Sequence, residues 1–219
     1  MQQAEEQDHL IVYLVRHGRS TARDSDKRQS PDSPLGEEGL KQAKALAKRM
    51  AKEKIDVVIS SKWDRAFQTA ETVSKEIRIK LETIEGIHEK EQNPDLYGAD
   101  LASEIHQRYM DEVKKFGGNL DWRFDGQGES LRDLIKRAAK FKDHLISKHK
   151  KENVLVVSHG LFIRAFVILA LLGDRYDDKT FYRVFTSLSC ANTGISLLEF
   201  LPEKKHWELR YLNDHLHIK

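Results

Sequence analysis

Cysteine is almost absent from this chain: Cys190 is the only one in 219 residues. That excludes an intrachain disulfide framework and a cysteine-rich zinc site. Charge of one sign is not in surplus either, since 37 Lys and Arg face 35 Asp and Glu for a formal net charge of +2. Net charge therefore gives no basis for a nucleic-acid partner, and any attraction for an anion has to come from a local cluster. A long uninterrupted apolar run is missing as well. The longest apolar region, residues 154–173, is broken by Ser158-His159-Gly160 and by Arg164. It makes a poor membrane span and reads as a buried strand followed by a buried helix. The first residues are polar and acidic, without the apolar stretch of a secretory signal. The expectation is a soluble cytoplasmic protein with no membrane partner.

What is present is the mix of a soluble enzyme, 39% hydrophobic and 33% charged, in a chain long enough for one core. Residues 1–9 read as a disordered arm, and residues 10–219 as one domain. Leu10-Ile11-Val12-Tyr13-Leu14-Val15 is continuously apolar and rich in β-branched residues, the pattern of a strand covered on both faces. Short runs at residues 56–60, 80–84 and 153–157 read as further strands. Helical spacing predicts helices over residues 37–54, 63–77, 101–116, 129–150 and 161–172. The basic residues of the first of these make a solvated face. Residues 194–201 and 206–212 form a candidate hairpin across Pro202-Glu203-Lys204-Lys205. Alternating strands and helices imply an α/β layered domain with a largely parallel sheet. Residues 87–128 have weaker periodicity and read as a cap or insertion over the site.

Ligands of open α/β sheets bind beyond the carboxyl ends of the strands. Two strand ends here carry a His-Gly pair, in Arg16-His17-Gly18 and in Ser158-His159-Gly160. The strand at residues 56–60 leads into Ser60-Ser61, with Arg65 one helical turn further on. If these strands are neighbours, their imidazoles and guanidiniums make an anion pocket, with phosphate its natural occupant. Arginine presents a planar fork to two phosphate oxygens. Neutral imidazole offers a lone pair near neutral pH, so His17 is a candidate nucleophile toward phosphorus. A backbone carbonyl accepting from its other ring nitrogen would fix the tautomer. A protonated His159 would donate to an equatorial oxygen, and a carboxylic acid at the pocket mouth would protonate the leaving alkoxide.

Each residue alone has a plainer explanation. A single histidine after a strand is usually structural, Arg65 would be a surface residue at a helix start, and Glu89 one exposed carboxylate among many. No His-x-x-x-His or Cys-x-x-Cys spacing supports a metal at His17 and His159. His206, His215 and His217 suit polar edge-strand positions, and Cys190 suits buried packing.

Taken in order, these segments resemble the histidine phosphatase superfamily, with its phosphoglycerate mutase-like fold, over residues 10–201. Leu14-Val15-Arg16-His17-Gly18 looks like the family signature, and residues 32–39 resemble its loop into the first helix. Ser60-Ser61-Lys62-Trp63-Asp64-Arg65-Ala66-Phe67-Gln68-Thr69-Ala70 resembles its second-arginine motif. Gly128-Glu129-Ser130, Val157-Ser158-His159-Gly160 and Asn192-Thr193-Gly194 match later segments. The resemblance implies a three-layer α/β/α sandwich with a mixed, mostly parallel sheet, and no metal or organic cofactor. It implies that His17 carries the phosphoryl group, held by Arg16, Arg65, His159 and the Gly160 amide. Glu89 falls where the family places its acid, with Glu91 the nearest competitor.

The chain also departs from the pattern. Arg19, Ser20 and Arg23 replace the usual Glu-Thr and Asn, and Arg23 could add a substrate contact. Lys90-Glu91 after Glu89 does not match the mutases, which favours a phosphatase. The leading expectation is hydrolysis of a small phosphorylated substrate through a phosphohistidine on His17. The competitors are a mutase and a catalytically weak phosphoprotein-binding module. A neutral His17 and a protonated Glu89 are required together, so a bell-shaped, mildly acidic optimum is expected.

Overall fold

A computed structural model describes residues 9–218 of the chain. Most of the arm expected over residues 1–9 lies outside them; His9 is held to Glu199 at 2.7 Å. Strand β1 is Leu10–Arg16, β2 Val57–Ser60, β3 Leu81–Thr83 and β4 Asn153–Ser158. β1 pairs in parallel with β4, β4 with β2, and β2 with β3. The final hairpin, β5 (Ile195–Leu201) and β6 (His206–Asp214), adds antiparallel strands beside β1. The sheet order is β3-β2-β4-β1-β5-β6, mixed and mostly parallel as the sequence implied.

The alternation of β1 explains the layering. Leu10, Val12 and Leu14 join one apolar cluster; Tyr13 and Val15 join the other. Successive strand residues point to opposite faces, so a run that is apolar throughout needs helices on both. The first face is covered by α5 (Leu131–Lys148), α6 (Gly160–Leu172) and α7 (Asp178–Ser187). The second is covered by α2 (Glu37–Met50) and α3 (Asp64–Ile77). The remaining helices, α1 (Thr21–Asp24) and α4 (Glu104–Phe116), bury no residue in either core. The result is the expected three-layer sandwich.

Local signals set the helix limits. Ser130 caps α5 in a capping box with Asp133, which fixes the start signalled by Gly128-Glu129-Ser130. Ser103 caps α4, so this helix begins at Glu104 instead of at residue 101. Nothing in the sequence pattern marks α7. This helix is only ten residues long, starts at an Asp177 cap, and buries only Phe181 and Phe185. His215 and His217 lie beyond β6 instead of within an edge strand, and His217 Nε2 lies 3.2 Å from Thr193 Oγ1.

One backbone approach requires glycine. A Cβ on Gly39, in the first turn of α2, would stand 1.9 Å from the Arg19 carbonyl oxygen. A Cβ on Gly18 would stand 2.7 Å from the Gly39 oxygen. The helix thus crosses the loop after β1 backbone against backbone, which holds that loop in place. No helix of the described residues is long and apolar enough to cross a membrane.

Candidate active site

The parallel register of β1 and β4 aligns Arg16 with Ser158. The next residues of the two strands are His17 and His159, and their rings lie 5.1 Å apart. β2 runs beside β4 in the same direction, with Ser60 opposite Val157, so Ser61 arrives at the same edge. Its hydroxyl lies 3.0 Å from His159 Nε2. In the first turn of α3, the Arg65 side chain returns to this edge and is 1% exposed, which excludes the surface-residue explanation.

Hydrogen bonds define the state of His17. Its Nδ1–H donates to the Gly18 carbonyl at 2.7 Å, and Nε2 accepts from Arg65 Nε at 3.1 Å. The Nε2 lone pair therefore faces the guanidinium. Burial, then Arg65 and Arg16, hold the imidazole pKa well below its ordinary value. His159 is also buried and lowered well below its ordinary value, first by burial and then by Arg65 and His17. Burial lowers Arg65 itself to about 10, so it stays cationic at neutral pH.

The supporting bonds come from several segments. Arg65 Nη1 donates to the Ser30 carbonyl at 2.7 Å, and its guanidinium lies 4.9 Å from the centre of the Trp63 ring. Arg16 Nη1 donates to the Cys190 carbonyl at 2.6 Å. Asn192 Nδ2 donates to the His17 carbonyl at 2.8 Å. Thr69 Oγ1 accepts from the Gly18 amide at 3.1 Å and donates to the Arg65 carbonyl at 2.6 Å. Arg16 Nε and His159 Nδ1 are buried without a hydrogen-bond partner among the described residues. Buried polar atoms are nearly always paired, so two orphans at one strand edge mark a place where a ligand would bond. The Cys190 thiol is buried and pushed up to about 11, in keeping with a packing role.

The two candidate acids separate in space. Both carboxylate oxygens of Glu89 face the Leu161 amide in the first turn of α6, at 3.1 and 3.2 Å, and Oε1 accepts from the Lys90 amide at 3.0 Å. Glu89 lines a cavity of about 450 Å³ together with Arg16, Arg23 and Gly160. Glu91 has a 53% exposed side chain near His88 and lines a different groove, beside Trp63 and Tyr97. The segment from residue 87 to residue 128 supplies Tyr109 and Met110 of α4 to the cavity wall.

Sequence reasoning missed other residues of this cavity. Arg28, Lys90 and Arg164 line it as well. Arg28 sits in the polar loop, where nothing in its spacing marks it, and Arg164 lies a turn after Gly160 inside an otherwise apolar helix. Ser61 was visible as part of a motif, but its bond to His159 depends on the β2–β4 register. No group of three or more His, Cys, Asp or Glu side chains among the described residues could hold a metal ion.

A model of the histidine phosphatase superfamily (branch 1) matches residues 12–215. Phosphoglycerate mutase-like protein 4 of Arabidopsis thaliana is 29% identical over 99% of this chain and 90% of its own length. Phosphoserine phosphatase 1 of Hydrogenobacter thermophilus is 30% identical over 94% of this chain and 93% of its own. A phosphoserine phosphatase of Entamoeba histolytica, solved as a mutant with phosphoserine, superposes with a TM-score of 0.74. It is 25% identical and covers 95% of this chain and 98% of that one.

Proposed function

The chain belongs to the histidine phosphatase superfamily, and within it we propose a phosphatase that hydrolyses small phosphomonoesters through a phosphohistidine on His17. The observation that carries this reading is the buried pair of His17 and His159, 5.1 Å apart, with Arg65 donating to His17 Nε2.

In the first step His17 Nε2 attacks phosphorus and the bond from phosphorus to the ester oxygen breaks. Arg16, Arg65, His159 and the Gly160 amide hold the equatorial oxygens as charge shifts onto them. Glu89, as the carboxylic acid, gives its proton to the departing alkoxide. In the second step water attacks the phosphohistidine while the Glu89 carboxylate takes the water proton. Inorganic phosphate leaves, and both His17 and Glu89 return to their starting forms.

Electrostatics support this order. A neutral His17 keeps its lone pair in acid, and the phosphate dianion then supplies the negative charge missing from a pocket of guanidiniums. Its arrival raises the pKa of His159, whose unpaired Nδ1 becomes a donor. The substrate class is small phosphorylated metabolites; phosphoserine is what the name of the Hydrogenobacter relative gives for that protein. The lone buried thiol suits the reducing cytoplasm. No nucleic-acid partner is proposed.

The deciding experiment incubates the protein with a labelled phosphomonoester and quenches it in alkali. An acid-labile, alkali-stable phosphoprotein that is missing from His17→Ala supports the reading, and its absence during steady turnover rejects it. A mutase reading is favoured by one observation, the name of the Arabidopsis relative. Isomerisation of a phosphoglycerate faster than phosphate release would establish it.

A further inference from the structure

Resting on the phosphatase reading, we infer that the substrate's leaving group is itself anionic and carries no ammonium group, and that Arg23, Arg28 and Arg164 select it. The cavity of about 450 Å³ that Arg16 and Gly160 border is also lined by Arg23, Arg28, Lys90 and Arg164, against one carboxylate among the described residues, Glu89. Arg16 is committed to the transferred phosphoryl group by its place next to His17. Lys90 has Glu129 and Glu89 for counter-charges. The other three cations have no ion-pair partner among the described residues.

Each lacks its counter-ion in a different way. Arg23 makes no ion pair and donates no side-chain hydrogen bond among the described residues, and its charged neighbours are Arg16, Arg28 and Arg19. Arg28 is fixed by neutral partners: Nε donates to Gln92 Oε1 at 2.9 Å, Nη1 meets His106 Nδ1 at 3.1 Å, and the guanidinium lies 4.4 Å from the Tyr109 ring centre. Arg164 Nε is buried without a hydrogen-bond partner among the described residues. Three guanidiniums facing one cavity repel each other until an anion arrives, and a planar fork is best matched by carboxylate or phosphate oxygens.

The same inventory rejects an ammonium. Among the described residues the only carboxylate on the wall is Glu89, which the reaction needs as its acid. The amide oxygen of Gln92 is already bonded by Arg28. A phosphorylated amino acid would therefore bring its cation into a field of cations. A phosphorylated hydroxy acid, or an ester with a second phosphate, brings the charge that the wall lacks.

The test measures kcat/KM for 3-phosphoglycerate, fructose 1,6-bisphosphate, phosphoserine and glycerol 3-phosphate at constant ionic strength. The expected result is a preference of about tenfold or more, the effect of one charge-assisted hydrogen bond, for 3-phosphoglycerate or the bisphosphate over both other esters. Which of the two leads tells carboxylate from second phosphate. Equal or better turnover of phosphoserine or glycerol 3-phosphate overturns the inference. In the Arg23→Gln/Arg164→Gln double variant, KM for the preferred ester should rise about tenfold more than KM for p-nitrophenyl phosphate, and lysines at both positions should restore part of the loss. An equal loss on both substrates also overturns it. Calorimetric binding of the four esters to His17→Ala gives the ranking without turnover, so the anion preference can fail while hydrolysis stands, or the reverse.

Discussion

Arg65 Nε donates to His17 Nε2 across 3.1 Å in a site where both side chains are 1% exposed. A permanent donor at this distance can only face an unprotonated nitrogen, so the guanidinium keeps the imidazole in its neutral form.

The first expectation concerns His17 itself. His17→Ala should lower turnover of any phosphomonoester by about a thousandfold or more, since the covalent route is lost. The circular dichroism spectrum should stay unchanged. Activity within tenfold of the parent, assayed as phosphate release, would remove His17 from the mechanism.

The acid limb of the pH profile should follow from the lowered His17 pKa. A histidine held below its ordinary 6.5 is neutral, and therefore competent, at pH values where a free imidazole is charged. The acid limb of kcat/KM should fall below pH 6.5. Arg65 is the second cause of the shift after burial, so Arg65→Gln should move that limb to higher pH while lowering the plateau. A limb that stays put in this variant would dissociate Arg65 from the ionisation of His17.

Glu89 and Glu91 can be told apart by leaving group. Glu89→Gln should cut kcat on an alkyl phosphate by about 10²–10⁴, the usual contribution of a general acid. The loss on p-nitrophenyl phosphate should be much smaller, because a nitrophenolate departs without a proton. Glu91→Gln should stay within about twofold on both, as its side chain lies in another groove. The opposite ranking would transfer the role to Glu91.

Ser61 offers a test of positioning. Its hydroxyl is the only hydrogen-bond partner of the His159 ring among the described residues. Ser61→Ala leaves both ring nitrogens buried and unpaired, which should cost about 1–3 kcal/mol of stability. It should also lower kcat more than it raises KM, and Ser61→Thr should recover part of the rate. A KM effect with unchanged kcat would assign Ser61 to ground-state binding instead.

Much of this protein is legible along the chain because its signals are local. The run from Leu10 to Val15 is apolar at every position, and that alone requires a strand covered on both faces. The pattern around Ser130 marks the start of α5 before any contact is known. The His-Gly pairs after β1 and β4 point to a strand-end site by position alone. By contrast α7 escaped, since a ten-residue helix with two buried phenylalanines carries too little periodicity to stand out from its polar flanks.

The sequence by itself determined the layers, the nucleophile candidate and the family pattern, because periodicity and motif are properties of neighbouring residues. Only the tertiary structure decided that His17 and His159 stand 5.1 Å apart, since that distance comes from the parallel register that pairs Ile11 with Asn153 and Arg16 with Ser158, residues far apart in the chain.

 The pairing of β2 with β4 brought Ser61 to His159. Tertiary structure also separated Glu89 from Glu91, two residues apart in the chain, by folding one onto the first turn of α6 and leaving the other at the surface. It gathered Arg23, Arg28 and Arg164 around one cavity. Charges from two helices and a loop meet there because the sheet ends at that edge, and no spacing along the chain encodes such a meeting.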